Sequence, residues 1–180
     1  YAEDFLKFDV SGHFPGYFSI IGNFPYNISS QIFFRVLEFR NRVPQVVGMI
    51  QKEVAERLCS GPGNKTYGIL SVLLQAFYQI DYLFTVPEHV FFPPPKVKSA
   101  VIKLVRNNVA VLPCDEALFV KIVKTAFNQR RKMLRNSIRE ISETVPEEFA
   151  ELRPEQLSVD AFIRLTRAIE KLQKEMKHGS

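Results

Sequence analysis

The segment IIGNFPYNISSQIFF, residues 20–34, contains the pattern that decides the fold. The apolar run FSIIG at 18–22 predicts a short, fully buried strand of the kind found in parallel sheets. The tetrapeptide Asn-Phe-Pro-Tyr at 23–26 follows this strand directly. Because open α/β sheets bind ligands at the carboxyl ends of their strands, this tetrapeptide is the first candidate site.

Strands and helices are predicted to alternate at first within the first 106 residues, with two strands near the end. The stiff triplet at 93–95, Pro-Pro-Pro, is expected to set the entry of the last strand. The order predicts an α/β layer closed by a hairpin. After the strand at 18–22, the predicted elements are a helix at 31–39 capped by Ser29 or Ser30, a strand at 46–50, a helix at 51–61 that stops at Gly61-Pro62-Gly63, a helix at 67–80, a strand at 82–91 interrupted by Pro87, and a strand at 99–106.

The character of the chain changes near residues 107–113. From Pro113 onward, apolar residues recur every three or four positions and strand patterns disappear. We therefore expect two domains, an α/β domain at 1–108 and a small all-helical domain at 113–180. No glycine-rich turn follows a predicted strand, and the sequence GPGNK at 61–65 follows a helix, so we interpret it as a structural turn.

Composition indicates a globular protein rather than a membrane or metal protein. The 180 residues are 46% hydrophobic and 24% charged, and no apolar run approaches the roughly 20 residues of a membrane span. The two cysteines, Cys59 and Cys114, favour a reducing, cytoplasmic setting and have no neighbouring His or Cys that would suggest a metal site. A net charge of +5 is compatible with a nucleic-acid partner.

The tetrapeptide at 23–26 has groups that suit methyl transfer to an exocyclic amine. Such an amine is a poor nucleophile because its lone pair is delocalised into the ring. The side-chain oxygen of Asn23 and a main-chain carbonyl positioned by Pro25 could accept its two N–H groups and favour a tetrahedral nitrogen. Tyr26 offers a stacking surface and Phe24 an apolar wall. The alternative is a tight turn with two aromatic residues in the core.

The segment 119–139 predicts an amphipathic helix with one basic face. Its apolar residues gather on one side, and no acidic residue occurs between Lys121 and Arg139. This favours a phosphate-facing surface over an ordinary solvated face. Its candidate RNA-binding residues are Lys121, Lys124, Arg131, Lys132, Arg135 and Arg139.

Three residues of the same segment leave alternatives open. Asn128 can divide the segment into two helices by capping the second, which would bend the basic face without abolishing it. Arg130 falls on the apolar side of a continuous helix, or pairs with a carboxylate or carbonyl across the domain junction. Phe127 approaches a target base or packs in the core.

Several blocks of the sequence resemble the ribosomal RNA adenine N6-dimethyltransferase family. NFPYNIS at 23–29 is similar to its motif IV, in which Leu usually stands where this chain has Phe24. The other blocks are spread along the sequence, so the resemblance covers nearly the whole chain, and they occur in family order. They are QKEVAERL at 51–58, YGILSV at 67–72, VPEHVFFPPPKVKSAVIKL at 86–104 and AFNQRRKMLRNSI at 126–138.

The resemblance implies a fold, a cofactor and a substrate. The expected fold is the C-terminal part of a Rossmann-like S-adenosylmethionine methyltransferase sheet followed by a small all-helical domain. Asp4 matches the acidic residue that binds the cofactor's adenine, with Asn23 also at the cofactor, although on sequence alone Asp4 could be a solvated turn residue. The implied activity is dimethylation of adjacent adenines in small-subunit ribosomal RNA by a cytoplasmic monomer acting on the immature subunit.

The resemblance also predicts that the glycine-rich cofactor motif lies upstream of Tyr1. We therefore expect the 180 residues to be an incomplete and inactive piece of the enzyme, with a truncated catalytic domain at 1–108 and an RNA-binding domain at 113–180. The alternative from another class is a non-catalytic ribosome-assembly or RNA-binding factor. A DNA adenine methylase is less well supported, because those enzymes usually have Asp/Asn-Pro-Pro-Tyr.

Overall fold

Four strands form one mixed sheet with the order β1-β2-β4-β3. The computed structural model describes residues 4–178. The strands are β1 (Ile20–Asn23), β2 (Gln45–Gln51), β3 (Tyr78–Val86) and β4 (Ser99–Arg106). The helices are α1 (Val10–His13), α2 (Ser29–Glu38), α3 (Lys52–Cys59), α4 (Ile69–Gln75), α5 (Glu116–Asn128), α6 (Leu134–Ser137), α7 (Glu147–Ala150) and α8 (Val159–His178), with short 3-10 turns at Tyr26–Ile28, Glu88–Val90 and Pro154–Gln156.

The sheet confirms the predicted α/β layer and its closing hairpin. β1 and β2 are parallel and are joined through α2, with Ile20 opposite Val46 and Asn23 opposite Met49. β4 is antiparallel to both of its neighbours, β2 and β3. The connection between β3 and β4 contains the proline triplet, and β4 begins at Ser99 as predicted.

The prediction that the first strand is fully buried was wrong. Along β1, Ile20 and Gly22 are partly buried, whereas Ile21 is 82% exposed and Asn23 is also exposed. The physical reason is the position of β1 at the edge of the sheet, where β2 is its one partner strand among the residues described. Successive side chains of a strand point to opposite faces, so one face of β1 packs inward and the other meets solvent.

The prediction of a single helix at 67–80 was wrong at its end. The helix stops at Gln75, and Tyr78 begins β3. Tyr78 and Ile80 pair with Arg106 and Leu104 of β4. The Tyr78 hydroxyl also donates a 2.9 Å hydrogen bond to the Val43 carbonyl. These tertiary contacts override the apolar helical pattern of the segment.

The described chain forms two compact units. The first contains the residues up to Cys59 together with Phe77–Ala110 and holds the sheet. The second contains Ser60–Ala76 together with the residues from Val111 onward and is helical. The boundary between the units at Ala110 lies within the region 107–113 expected from sequence. The domain division expected from sequence kept 60–76 in the α/β domain, whereas the structure groups this segment, including α4, with the helical unit.

Packing within the second unit explains why the segment at 60–76 belongs there. The Tyr67 ring meets the Phe127 ring of α5 edge-on, with ring centroids 5.9 Å apart. Gly63 has a φ of +85°, which suits glycine, and its N–H donates to the Glu155 carbonyl at 2.6 Å. The sequence GPGNK is therefore a structural turn, as predicted.

Candidate functional site

Asn23 is the last residue of β1, and its side chain is exposed at the carboxyl end of that strand. The next residue extends the ladder, because the Phe24 N–H donates to the Met49 carbonyl at 3.0 Å. A tight 3-10 turn then leads into α2. The backbone of Asn23 is thus fixed, while its side-chain amide stays accessible to a ligand.

The turn after Asn23 is held by two further hydrogen bonds. The Pro25 carbonyl accepts from the Ile28 N–H at 3.2 Å, and the Tyr26 carbonyl accepts from the Ser29 hydroxyl at 3.3 Å. A carbonyl oxygen has two lone pairs, so the Pro25 carbonyl keeps capacity for one more donor. The backbone at 25–29 is therefore fixed in the conformation that positions these carbonyls.

The Phe24 side chain packs in the core and does not form the wall of an open pocket. It is 5% exposed, and its ring meets the Phe33 ring of α2 edge-on at 5.7 Å. It also lies against β2, because an ideal Cβ placed on Gly48 would be 2.7 Å from Cε2 of Phe24. This matches the alternative of a core aromatic, and the buried ring anchors the backbone next to Asn23.

Tyr26 is half-buried and is tied to the first residue of β4. Its hydroxyl shares a 2.5 Å hydrogen bond with the hydroxyl of Ser99, which is fully buried. This contact fixes the tyrosine ring beside the turn that contains Asn23. Sequence reasoning did not single out Ser99, although it stands in the block at 86–104 that resembles the family and begins a predicted strand.

Asp4 lies in an exposed turn before α1. One oxygen of its carboxylate accepts from the Leu6 N–H at 3.0 Å, and its main-chain carbonyl accepts from the N–H groups of Lys7 and Phe8. This is the local geometry of a solvated turn residue. The bond to Leu6 uses one of the two carboxylate oxygens, so the residue is compatible with an additional donor.

The basic segment forms two helices, and its apolar residues are buried and its basic residues exposed, as predicted. Phe119, Ile122, Val123, Ala126 and Leu134 are all buried. Asn128 is the last residue of α5, so the predicted division of the segment is confirmed, but the cap of α6 is Met133 and not Asn128. The exposed basic residues of the segment are Lys121, Lys124, Arg131, Lys132, Arg135 and Arg139, which we call the basic set.

An acidic residue does approach the basic set, although none occurs within the segment. Arg135 pairs with Glu151 at 3.1 Å. Glu151 follows α7 and is distant in sequence, which is why counting charges along the segment missed it. Both side chains are largely exposed, and pairs of this kind contribute at most about 1 kcal/mol.

Arg130 and Phe127 have structural partners within the second unit. Arg130 donates to the Asn64 carbonyl at 3.2 Å and approaches the Glu155 carboxylate at 3.9 Å. The predicted carboxylate and carbonyl partners are therefore present, but in the same unit. The Phe127 ring lies 5.9 Å from that of Phe162 and the same distance from that of Tyr67, which favours core packing.

Neither a metal cluster nor a membrane span is found in the described part of the chain. Within residues 4–178, no three His, Cys, Asp or Glu side chains are grouped as they would be to hold a metal ion. None of the helices described there is long and apolar enough to cross a bilayer. Cys59 and Cys114 are free thiols.

Comparison with known structures identifies the fold. The structure matches a dimethyladenosine transferase from Plasmodium falciparum with a TM-score of 0.80 at 24% identity, covering 95% of this chain and 72% of the other. It matches the 23S rRNA methyltransferase ErmE with a TM-score of 0.64 at 22% identity, covering 91% and 70%. The fold is therefore Rossmann-like, as in these methyltransferases.

Comparison with known sequences identifies the family. Proteins named ribosomal RNA small subunit methyltransferase A are 61% identical over 169 residues in Parabacteroides distasonis and 59% identical over 173 residues in Flavobacterium johnsoniae. These matches cover 92% and 94% of the chain but 64% and 66% of the relatives, so the chain spans somewhat less than two thirds of their length. A family model described as ribosomal RNA adenine dimethylase matches residues 1–175, and the chain belongs to that family.

Proposed function

We propose that this chain is part of an enzyme that transfers methyl groups from S-adenosylmethionine to N6 of adjacent adenines in small-subunit ribosomal RNA. Membership of the ribosomal RNA adenine dimethylase family and the names of its relatives support this function. The single observation that carries it is the accessible Asn23 amide at the carboxyl end of β1, held by a hydrogen-bonded turn.

Asn23 and a neighbouring carbonyl would prepare the target amine. The Asn23 side-chain oxygen would accept one N–H of the adenine amine, and the Pro25 carbonyl the other. Withdrawing the lone pair from the ring in this way makes the nitrogen nucleophilic without a general base. Because the Pro25 carbonyl already accepts from Ile28, the Phe24 carbonyl is a competing candidate in the same turn.

Tyr26 would stack on the adenine once it is turned out of the RNA. Enzymes that modify a base extrude it into a pocket, and aromatic rings are common stacking partners there. The bond between the hydroxyls of Tyr26 and Ser99 would hold the ring in one orientation, which reduces the entropy lost when the base binds.

Asp4 and Asn23 would contribute to the cofactor site. S-adenosylmethionine, when bound, supplies an electrophilic methyl group on its sulfonium. The accessible carboxylate of Asp4 suits the adenine amino group of that cofactor, because one of its oxygens is not used by the bond to Leu6. After transfer, the extra proton on the methylated amine would leave to solvent.

The basic set would hold the phosphates of the ribosomal RNA in the immature small subunit. Its six cations are exposed along α5, the turn after it, α6 and the turn that follows α6. Phosphate contacts position a nucleic acid without reading its sequence. The same surface would serve in a non-catalytic assembly factor, so binding alone does not separate the two functions.

Replacement of Asn23 separates catalysis from binding. In the full-length protein, Asn23→Ala is expected to lower methyl transfer to immature small-subunit particles by about 100-fold or more, the usual effect of removing one transition-state hydrogen bond. Binding to the particles should be unchanged. Transfer is followed with radiolabelled S-adenosylmethionine, and binding by co-sedimentation with the particles.

The matched control is Asn27→Ala. Asn27 is an exposed residue of the same type in the 3-10 turn, and its loss should leave transfer intact. Equal loss of transfer and binding in Asn23→Ala would mean that Asn23 is structural. Binding by a wild-type protein that transfers no methyl would favour the assembly factor.

A further inference from the structure

Phe92 is the most exposed of the large hydrophobic residues in the described chain, at 101% of its reference area. It lies in the segment between the 3-10 turn at Glu88–Val90 and β4, where Val97 is also exposed, as is Val90 at the end of the turn. A fully exposed aromatic ring gains nothing for folding from burial. Prolines follow it at 93–95, and they stiffen the segment that presents the ring.

The segment that contains Phe92 carries positive charge. Lys96 and Lys98 are exposed, and no acidic residue occurs from His89 to Lys103. The preceding acid, Glu88, has its Oε2 atom buried. An exposed aromatic ring and exposed lysines in one segment are the combination with which proteins bind single-stranded nucleic acid, by stacking on bases and attracting phosphates.

The acidic side chains that line a neighbouring cleft do not neutralise this positive charge. The cleft, of about 310 Å³, is lined by Lys98 and Val97 from this segment and by residues of α3 that include Glu53 and Glu56. Both acids have partners in their own helix, since Glu56 pairs with Lys52 at 3.6 Å and Glu53 with Arg57 at 3.2 Å.

The segment that contains Phe92 leads into β4 at the end of the sheet where β1 and β2 have their carboxyl ends, which is also where the Asn23 turn lies. The Lys98 carbonyl accepts from the Lys52 N–H at 2.9 Å, just after β2 ends. The following residue, Ser99, is the one that binds the Tyr26 hydroxyl. β4 runs antiparallel to β2, so its beginning meets the carboxyl ends of β1 and β2.

We infer that Phe92, Lys96 and Lys98 form a second nucleotide site, which binds an unpaired nucleotide flanking the target adenine in the RNA. Phe92 stacks on the flanking base, and the two lysines bind its phosphates. This site deepens the proposed function and rests on it, because the identity of the RNA comes from there. The site would determine which single-stranded sequence next to the target adenine the enzyme accepts.

The test uses an RNA hairpin whose single-stranded loop contains two adjacent adenines. The base next to the adenines is replaced by 2-aminopurine, a fluorescent analogue of adenine that is quenched when it stacks. The protein should quench this base. Phe92→Ala should abolish the quenching and weaken binding by about tenfold, a typical effect of losing one stacked base.

Four variants make the result specific. Phe92→Tyr keeps an aromatic ring and should restore quenching, whereas Phe92→Leu keeps only apolar area and should not. Phe84→Ala is the matched control, since Phe84 is 56% exposed on β3 in the same unit and should leave RNA binding unchanged. Lys96→Ala with Lys98→Ala should reduce the salt dependence of binding.

Several outcomes would overturn the inference. Quenching that survives in Phe92→Ala, or an equal loss in Phe84→Ala, excludes a stacking site at Phe92. Sedimentation with anionic lipid vesicles that depends on Phe92, with RNA binding unaffected, would assign the segment to a membrane surface. Phe92-dependent RNA binding by a full-length wild-type protein that transfers no methyl would refute the proposed function and leave this site standing.

Discussion

At the scale of single residues, Asn23 and Phe24 have opposite roles because they are neighbours on an extended chain. The ladder with β2 continues through the Phe24 N–H, so the alternation of a strand applies to both residues. Ile21 and Asn23 face solvent, whereas Gly22 and Phe24 face inward. The sequence revealed the turn and its polar group, but treating Phe24 as part of an open pocket ignored this alternation.

Gly48 is required by the Phe24 ring rather than by backbone conformation. Gly48→Ala places a methyl group 2.7 Å from that ring, which is packed against Phe33 and has little room to move. We expect Gly48→Ala to lower the free energy of unfolding by about 1–3 kcal/mol, as overpacked cores usually do. Urea denaturation followed by circular dichroism measures this.

Two variants test whether contact with the Phe24 ring causes the loss of stability in Gly48→Ala. Gly61→Ala is the control, since no atom lies within 4 Å of a Cβ at that position, and it should change stability little. In Phe24→Leu, the smaller side chain should tolerate Gly48→Ala better than the wild type does. Additive effects of the two substitutions would contradict direct contact between these residues.

At the scale of elements, local patterns predicted most boundaries and tertiary pairing decided the rest. The end of α5 at Asn128 and the start of β4 at Ser99 follow from local patterns. The start of β3 at Tyr78 does not, since YQI continues the apolar helical pattern before it. Only the register with β4 makes that segment a strand. Glu151 was missed for the same reason, because Arg135 meets it through the fold.

The basic set should determine how RNA binding responds to salt. Reversing Arg131, Lys132 and Arg135 to Glu is expected to weaken binding to small-subunit particles. The slope of log K against log salt concentration should become shallower by about two to three, because each lost phosphate contact removes nearly one unit. Titrations at several salt concentrations provide the measurement.

A control with the same change in net charge uses cations outside the basic set that pair within their own helix. Arg57, Arg164 and Lys171 each form an ion pair with an acid four residues away in their own helix. Reversing these three to Glu should alter the slope much less. Equal changes in both triple variants would show that net charge, not the basic set, governs binding.

At the scale of the whole molecule, each unit has one tyrosine among its largest fully buried side chains. The two tyrosine hydroxyls differ in whether they have a hydrogen-bond partner, which the sequence does not predict. Tyr67 lies in the second unit and Tyr78 in the first, and burial raises the pKa of each to about 12. The Tyr78 hydroxyl donates to Val43, whereas no described residue offers the Tyr67 hydroxyl a partner. Sequence places both residues among apolar neighbours, but only the packed fold shows which hydroxyl is satisfied.

This difference predicts opposite effects of removing each hydroxyl. Tyr67→Phe should leave stability at pH 7 unchanged or raise it by about 1 kcal/mol, because a buried unsatisfied hydroxyl is costly. Tyr78→Phe should lower it by a similar amount, since it leaves the Val43 carbonyl without its donor. Thermal or urea unfolding of the two variants provides the comparison.

The same shifts predict alkaline unfolding. A pKa raised in the folded state contributes stability that is fully present below the ordinary value near 10 and is lost as pH rises through about 12. Stability should therefore fall between about pH 10 and 12, and less steeply in Tyr67→Phe. An unchanged slope in that variant would contradict burial as the cause of the Tyr67 shift.

The strand order of the sheet has a consequence for synthesis. β4 is internal to the sheet but is the last of the four strands in the chain, so β2 and β3 cannot be joined until β4 has left the ribosome. At about 5–20 residues per second, β2 waits several seconds with one edge unpaired. During that interval the nascent chain exposes a strand edge that other chains can pair with, and shielding by chaperones is most valuable then.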